Sequence, residues 1–207
     1  GIGMADVVIF IDQTADGYLT ARGQLGIYIT ERTGDIQVST IYSASGDVRL
    51  TAPGNIVDAL NTSFVNIEAG DIWLTSTGGG IGAAGSSGSE PNSLDIEARG
   101  NGSTTGAGLL TATAQGDIFI AEQSGDMNVR NVLSTAGSVR LEAAENILDA
   151  MDLVDPTVPS SGEDVDAASK KPQIDVLAHE NITLQARGDS SGASGYIGEA
   201  GNQLDID

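Results

Sequence analysis

The chain has 207 residues, of which 29 are acidic and 9 basic, giving a formal net charge of −20. Such a surface repels nucleic acid and anionic membrane, and the lack of Cys excludes a disulfide framework, thiol catalysis and a Cys-based zinc site. Aromatics make up only 4% and Gly reaches 28 residues, which suits a narrow, regularly stacked core of small apolar side chains.

The excess of acid reads first as a device for solubility and for keeping sheet edges apart. No stretch has the length and apolarity of a transmembrane helix. At the N-terminus, Gly1-Ile2-Gly3-Met4-Ala5-Asp6 carries no basic region and no long apolar run, unlike a signal peptide. If the protein is exported, this sequence is expected to be an internal fragment.

A short unit then recurs along the chain: Gly, Asp or Asn, and two apolar residues around a variable one. Gly34-Asp35-Ile36-Gln37-Val38 is the first clear copy, followed by Gly46-Asp47-Val48-Arg49-Leu50 and Gly70-Asp71-Ile72-Trp73-Leu74. Gly116-Asp117-Ile118-Phe119-Ile120 and Gly125-Asp126-Met127-Asn128-Val129 come next, then looser copies at Gly137-Ser138-Val139-Arg140-Leu141 and Glu180-Asn181-Ile182-Thr183-Leu184. The apolar alternation predicts short, half-buried strands. The Gly-Asp before each is turn chemistry, because Gly reaches positive φ and Asp bonds nearby backbone N–H groups.

Ile27 to Val48 is 21 positions, Ile36 to Ile56 is 20, and Ile118 to Val139 is 21. Coils of about 20 residues holding two or three strands, with no helical periodicity between them, predict an all-β parallel β-helix, or β-solenoid, with short loop insertions.

A longer repeat lies on top. Gly34 through Ala59 matches Gly125 through Ala150 at an offset of 91, and Leu19-Thr20-Ala21 matches Leu110-Thr111-Ala112 at the same offset. After an insertion, Asp71-Ile72-Trp73-Leu74 matches Asn181-Ile182-Thr183-Leu184 at an offset of 110, as Leu94-Asp95-Ile96 does Leu204-Asp205-Ile206. Ile2-Gly3 with Ile9-Phe10-Ile11-Asp12 has the phase of Ile197-Gly198 with Leu204-Asp205-Ile206-Asp207, and Ile81-Gly82 with Leu94-Asp95-Ile96-Glu97 repeats it in the middle. The expected organisation is one continuous segment over 1–207, with long units at about 2–80 and 81–196, a third beginning at 197, and a loop insertion at 151–173.

The order Leu19-Thr20-Ala21, Gly26-Ile27-Tyr28-Ile29-Thr30-Glu31 and Gly34 through Ala59, given twice, resembles the filamentous-haemagglutinin-like repeat regions of giant bacterial exoproteins. The resemblance covers nearly the whole chain. It implies a right-handed parallel β-helix, secretion to the bacterial cell surface, and a role in adhesion or filament building. It implies no catalytic residues. The loops at 75–92 and 151–173 depart from a uniform shaft.

Several residues invite a sharper reading. Gly80-Ile81-Gly82-Ala83-Ala84-Gly85 matches a dinucleotide fingerprint, but that motif needs a following helix, and Ser86-Ser87-Gly88-Ser89-Glu90-Pro91-Asn92 reads as a loop. His179, the single histidine, has no nucleophile motif beside it and reads as a turn residue. Asp35, Asp47, Asp71, Asp117 and Asp126 read as turn caps, with weak Ca²⁺ binding at the acidic corners as the alternative. Arg49 and Arg140 hold equivalent positions and read as structural, pairing with acidic neighbours on an outer face. Arg22, Arg99 and Arg187, each in Ala-Arg-Gly, read the same way and are a poor match to a polysaccharide-cleaving groove. Asn61-Thr62-Ser63, Asn101-Gly102-Ser103 and Asn181-Ile182-Thr183 are formal glycosylation acceptors without weight in a bacterial protein. The insertion holds three of the five prolines and both lysines, and reads as a surface loop or a partner-contact loop.

The expectation is therefore a non-catalytic structural or adhesive shaft segment, extracellular, without a cofactor. Its partners are neighbouring repeats, further copies end to end, or surface glycans and proteins. The alternatives are a self-assembling filament subunit, a polysaccharide-acting β-helix enzyme and a calcium-stabilised adhesin repeat.

Overall fold

The computed structural model describes residues 1–4, 7–83, 85, 91–100, 108–150, 174–188, 192, 194–198 and 203–207. The insertion expected at 151–173 and the acceptor at Asn101 lie outside the described residues.

The described residues form sixteen strands and no helix. In chain order these are β1 (Ile9–Ile11), β2 (Leu19–Gly23), β3 (Ile27–Glu31), β4 (Ile36–Ser43), β5 (Val48–Ala52), β6 (Ile56–Asp58), β7 (Ile67–Ala69) and β8 (Ile72–Ser76). The second half holds β9 (Leu94–Ala98), β10 (Leu109–Ala114), β11 (Ile118–Glu122), β12 (Met127–Ser134), β13 (Val139–Ala143), β14 (Ile147–Asp149), β15 (Val176–Leu177) and β16 (Ile182–Ala186).

Two eight-stranded sheets result, and every strand pairing is parallel. The first runs β1-β3-β5-β8-β10-β12-β14, with β15 also on β12. The second runs β16-β13-β11-β9-β7-β4-β2, with β6 also on β4. The chain thus passes from one sheet to the other and back, pairing each strand with the one laid down a coil earlier. The three spacings noted in the sequence are true register partners: Ile27 with Val48, Ile36 with Ile56, and Ile118 with Val139.

Alternation sends every second side chain inward. In the first sheet Ile27, Val48, Ile72, Leu110 and Val129 stack in register, each at most 1% exposed. In the second, Ile36, Ile56, Ile81, Ile118 and Val139 do the same. Both ladders belong to one hydrophobic cluster, so the two sheets share a core. Outward, Thr30, Thr51, Thr75 and Thr113 form a threonine ladder on the first sheet.

Some passes are split. β6 and β7 lie along the two halves of β4 and extrude the loop between them. Likewise Ile81 and β9 lie along the two halves of β11, with a loop between. Ala83 and Asn92 close that loop by exchanging backbone hydrogen bonds of 2.9 Å. Gly3, Gly82 and Gly198 follow the bridging residues Ile2, Ile81 and Ile197 with φ of 68°, 70° and 69°. A Cβ at Gly82 would lie 2.3 Å from the Phe119 carbonyl oxygen, so Gly is required there on both counts.

The sequence matches have a consequence in the fold. β1 corresponds to β9, β2 to β10, and so on through β8 and β16, and each pair falls on opposite sheets. Because β6 and β7 share one pass, the eight strands of a unit make seven passes. An odd number of passes turns the second copy by half a coil. Columns that are equivalent in sequence therefore face opposite ways.

Candidate functional site

The corners explain the recurring acids. Asp35 Oδ1 accepts the Asn55 N–H of the next coil at 2.7 Å, and Asn55 Oδ1 in turn accepts from Gly80 at 2.8 Å. Asp47 accepts from Asp71 at 3.1 Å, and Asp71 from Leu109 at 3.0 Å. Asp117 accepts from Ser138 at 2.8 Å; Asp126 accepts from Asn146 at 3.1 Å, and Asn146 from Tyr196 at 3.0 Å. Each side chain caps a backbone donor that the coil's bend leaves outside the strand ladder. No group of three or more metal-ligating side chains occurs among the described residues.

A second corner device escaped the sequence reading. A polar residue three positions before a corner Gly folds back over the turn. Ser43, Ser76 and Ser134 accept from the N–H of Gly46, Gly79 and Gly137 and donate to a carbonyl of the preceding coil. Glu31 and Glu122 hold the same place before Gly34 and Gly125. The buried carboxylate of Glu31 accepts from Gln13, Arg32 and Thr33. Burial pushes the Glu122 carboxyl well above its ordinary range, against the pull of its Ala98 hydrogen bond. The pattern Ser/Glu-x-x-Gly was visible, but nothing in it marks a carboxylate as buried.

A groove that gathers convergent polar groups lies on the outer face of the second sheet, with a volume of about 540 Å³. Its floor is one outward column running across the strands, Asp95–Ala121–Glu142–Gln185, in register on β9, β11, β13 and β16. The two extruded loops supply its walls: Asn61, Thr62 and Ser63 from the β6–β7 loop, and Pro91, Asn92 and Ser93 before β9. Asp58 ties down the first wall, accepting from Leu60 at 2.8 Å, Thr62 at 3.0 Å and Asn66 Nδ2 at 2.7 Å. Asn61 takes a φ of 50° in that turn, a conformation Asn tolerates better than most residues.

In the groove one carboxylate lies between two arginines and the other meets an amide. Glu142 Oε1 meets Arg140 at 2.6 Å and its Oε2 meets Arg187 at 2.5 Å. Burial would raise this carboxyl, but the hydrogen bonds and charges of the two arginines outweigh it and hold it below its ordinary value of 4.5. Asp95 accepts a 2.7 Å hydrogen bond from Gln123. Burial dominates there and pushes the Asp95 carboxyl from 3.8 up to about 6. One floor carboxylate is thus held ionised and the other changes state in mildly acidic solution.

The structure distributes the other candidates as follows. Gly80, Ile81 and Gly82 form a bridging turn that pairs with β6 and β11; no helix follows among the described residues. His179 is exposed between β15 and β16. Arg140 pairs with an acidic neighbour as expected, whereas its equivalent Arg49 stands over the Trp73 ring at 5.2 Å. Arg99 pairs with Glu68 at 2.8 Å, and Arg22 lies 4.4 Å from the centre of the Tyr42 ring. Of the repeat-bound arginines, read from the sequence as structural and as a poor match to a polysaccharide-cleaving groove, Arg140 and Arg187 meet at Glu142 across β13 and β16. Asp95, Glu142 and Gln123 were missed as groove residues. The available signal was their place on outward positions where the two sequence copies disagree.

In comparisons with family models, curated proteins and solved structures, nothing matches this chain.

Proposed function

We propose that the chain is a stretch of right-handed parallel β-solenoid that acts as a stiff structural or adhesive shaft in a large secreted bacterial surface protein, without chemistry of its own. The observation that carries this reading is the unbroken pairing of each strand with the one a coil earlier, over side-chain ladders that fill one shared core. Regular stacking of this kind gives a rod whose coils contact their neighbours, and such a rod supplies reach and display. The repeated Gly-Asp motifs and their likeness to haemagglutinin-type exoprotein repeats support the same assignment.

A filament subunit is the second reading. Met4, Ile9 and Phe10 are exposed at one end of the stack, and Tyr196, Ile197 and Ile206 at the other, surfaces that further coils or a second copy would cover.

Small-angle scattering over a concentration series, with size-exclusion chromatography, tests both readings. Elongated, concentration-dependent particles or frayed ends are expected; a compact monomer with fully protected ends overturns the shaft. Screening on polygalacturonate, alginate and similar polymers tests the absence of chemistry. Turnover lost on substituting one acidic residue overturns it.

A further inference from the structure

Comparing the two copies at equivalent outward positions isolates the groove. The floor residues Asp95, Ala121, Glu142 and Gln185 correspond to Phe10, Thr30, Thr51 and Thr75, and Arg187 corresponds to Thr77. The first copy thus carries Phe10 followed by three threonines where the second carries two acids, an amide and a single small residue. Inward positions do not diverge in this way. Val48, Leu50, Ala52 and Ile56 recur as Val139, Leu141, Ala143 and Ile147. Arg49 and Arg140 are identical yet differently employed, since an acid stands two residues on only in the second copy. Core packing and corner capping are satisfied in both copies, so neither accounts for the change of floor.

The geometry points to this groove as a binding site for an uncharged, polyhydroxylated ligand, a short neutral oligosaccharide lying along the Asp95–Ala121–Glu142–Gln185 column. This deepens the adhesive side of the proposed function and rests on that reading for the stacking of β9, β11, β13 and β16.

Five features select the ligand. Ala121 sits between Asp95 and Glu142 with only a methyl group below the space above it, so the column is lowest between the two carboxyls. Four adjacent strands give a floor of roughly 14 Å at the usual strand spacing, long enough for an extended oligomer, and the volume lies in the range of ligand sites. The lining offers the amides of Asn61, Asn92 and Gln185, the hydroxyls of Thr62 and Ser93, and the Arg140–Glu142–Arg187 cluster, a mixture of donors and acceptors that suits vicinal hydroxyl groups. Charge argues against the alternatives. Both arginines are already engaged by Glu142 inside a chain of net charge −20, which disfavours anions, while the same arginines disfavour a cation. The Asp95 carboxyl, raised to about 6, can accept a hydrogen bond from a hydroxyl when ionised and donate one when protonated.

The test is calorimetric titration of the intact chain with a panel of neutral gluco-, manno-, xylo- and chito-oligosaccharides beside anionic uronate oligomers. At least one neutral member is expected to bind with a Kd tighter than about 1 mM. Ala121→Gln, which fills the low point from outside the core, is expected to weaken that binding at least tenfold. Gln185→Ala, at an exposed position, is expected to weaken it several-fold. Thr30→Gln, at the equivalent place on the opposite sheet, is expected to leave it unchanged. Failure of every neutral member to bind, binding of uronates alone, or binding indifferent to both groove variants overturns the site. Far-UV circular dichroism and the melting temperature are read on each variant. Weaker binding by a groove variant with an intact melt supports the site, no neutral-ligand binding by the unsubstituted chain with an intact melt counts against the groove alone, and a lost melt in the unsubstituted chain counts against the shaft.

Discussion

At the scale of single residues, the corner caps and the groove carboxyls make different demands. Asp117 Oδ1 satisfies the Ser138 N–H on the next coil, and Asp117→Ala leaves that donor without its partner. Urea denaturation should register a loss of about 1.5 kcal/mol. Asp117→Asn should lose much less, since Asn55 and Asn146 already perform this service elsewhere with an amide oxygen. Asp95 behaves oppositely. Its carboxyl is pushed from 3.8 up to about 6 by burial, so the folded chain binds the proton more tightly than the unfolded one. Between those two values stability falls as pH rises, and above about 6 the buried charge remains a fixed cost. Asp95→Asn should therefore raise the melting temperature at pH 7.5 and flatten its decline between pH 4 and pH 6. No change in that slope would show that Asp95 does not titrate as described. The caps were readable from Gly-Asp pairs because turn chemistry is local. The Asp95 shift was not, because it comes from burial on the groove floor, adjusted by Gln123, Asp58, Arg187 and Glu142, all remote in sequence.

At the scale of elements, each strand is short and takes its order from its neighbours. β8 shows the division of labour: Ile72 and Leu74 are buried, whereas Trp73 and Thr75 face outward. Ile72 stacks between Val48 and Leu110. Ile72→Ala should cost about 3 kcal/mol through lost burial and the cavity left behind. Thr75→Ala on the other face should change stability by no more than about 0.5 kcal/mol. Equal losses at the two positions would contradict the assignment of the faces. The alternation of apolar and variable residues was enough to predict which face each strand buries. It did not predict the splitting of a pass into β6 and β7 along β4, which follows from the length of β4 and the loop at residues 59–66. That split produces one wall of the groove.

At the scale of the whole molecule, the proposed solenoid makes stability a sum over neighbouring coils, and protection should then be graded from the middle outward. Amide hydrogen exchange should find β5, β8 and β10 slowest. β1, whose Ile9 and Phe10 are 43% and 61% exposed, and β16, which has no buried residue, should exchange fastest. Uniform protection would indicate a globally cooperative domain instead. The half-coil turn between the two copies places the threonine ladder on one sheet and the groove on the other, so the chain presents two unlike sides. The sequence by itself determined the strand period, the inward ladders and the capped corners, because each arises from spacing within one coil or between adjacent coils. Tertiary structure decided which sheet each repeat faces and which outward residues meet. Those depend on the number of passes per unit and on loops thrown out from split passes, and a matching offset of 91 residues is blind to both.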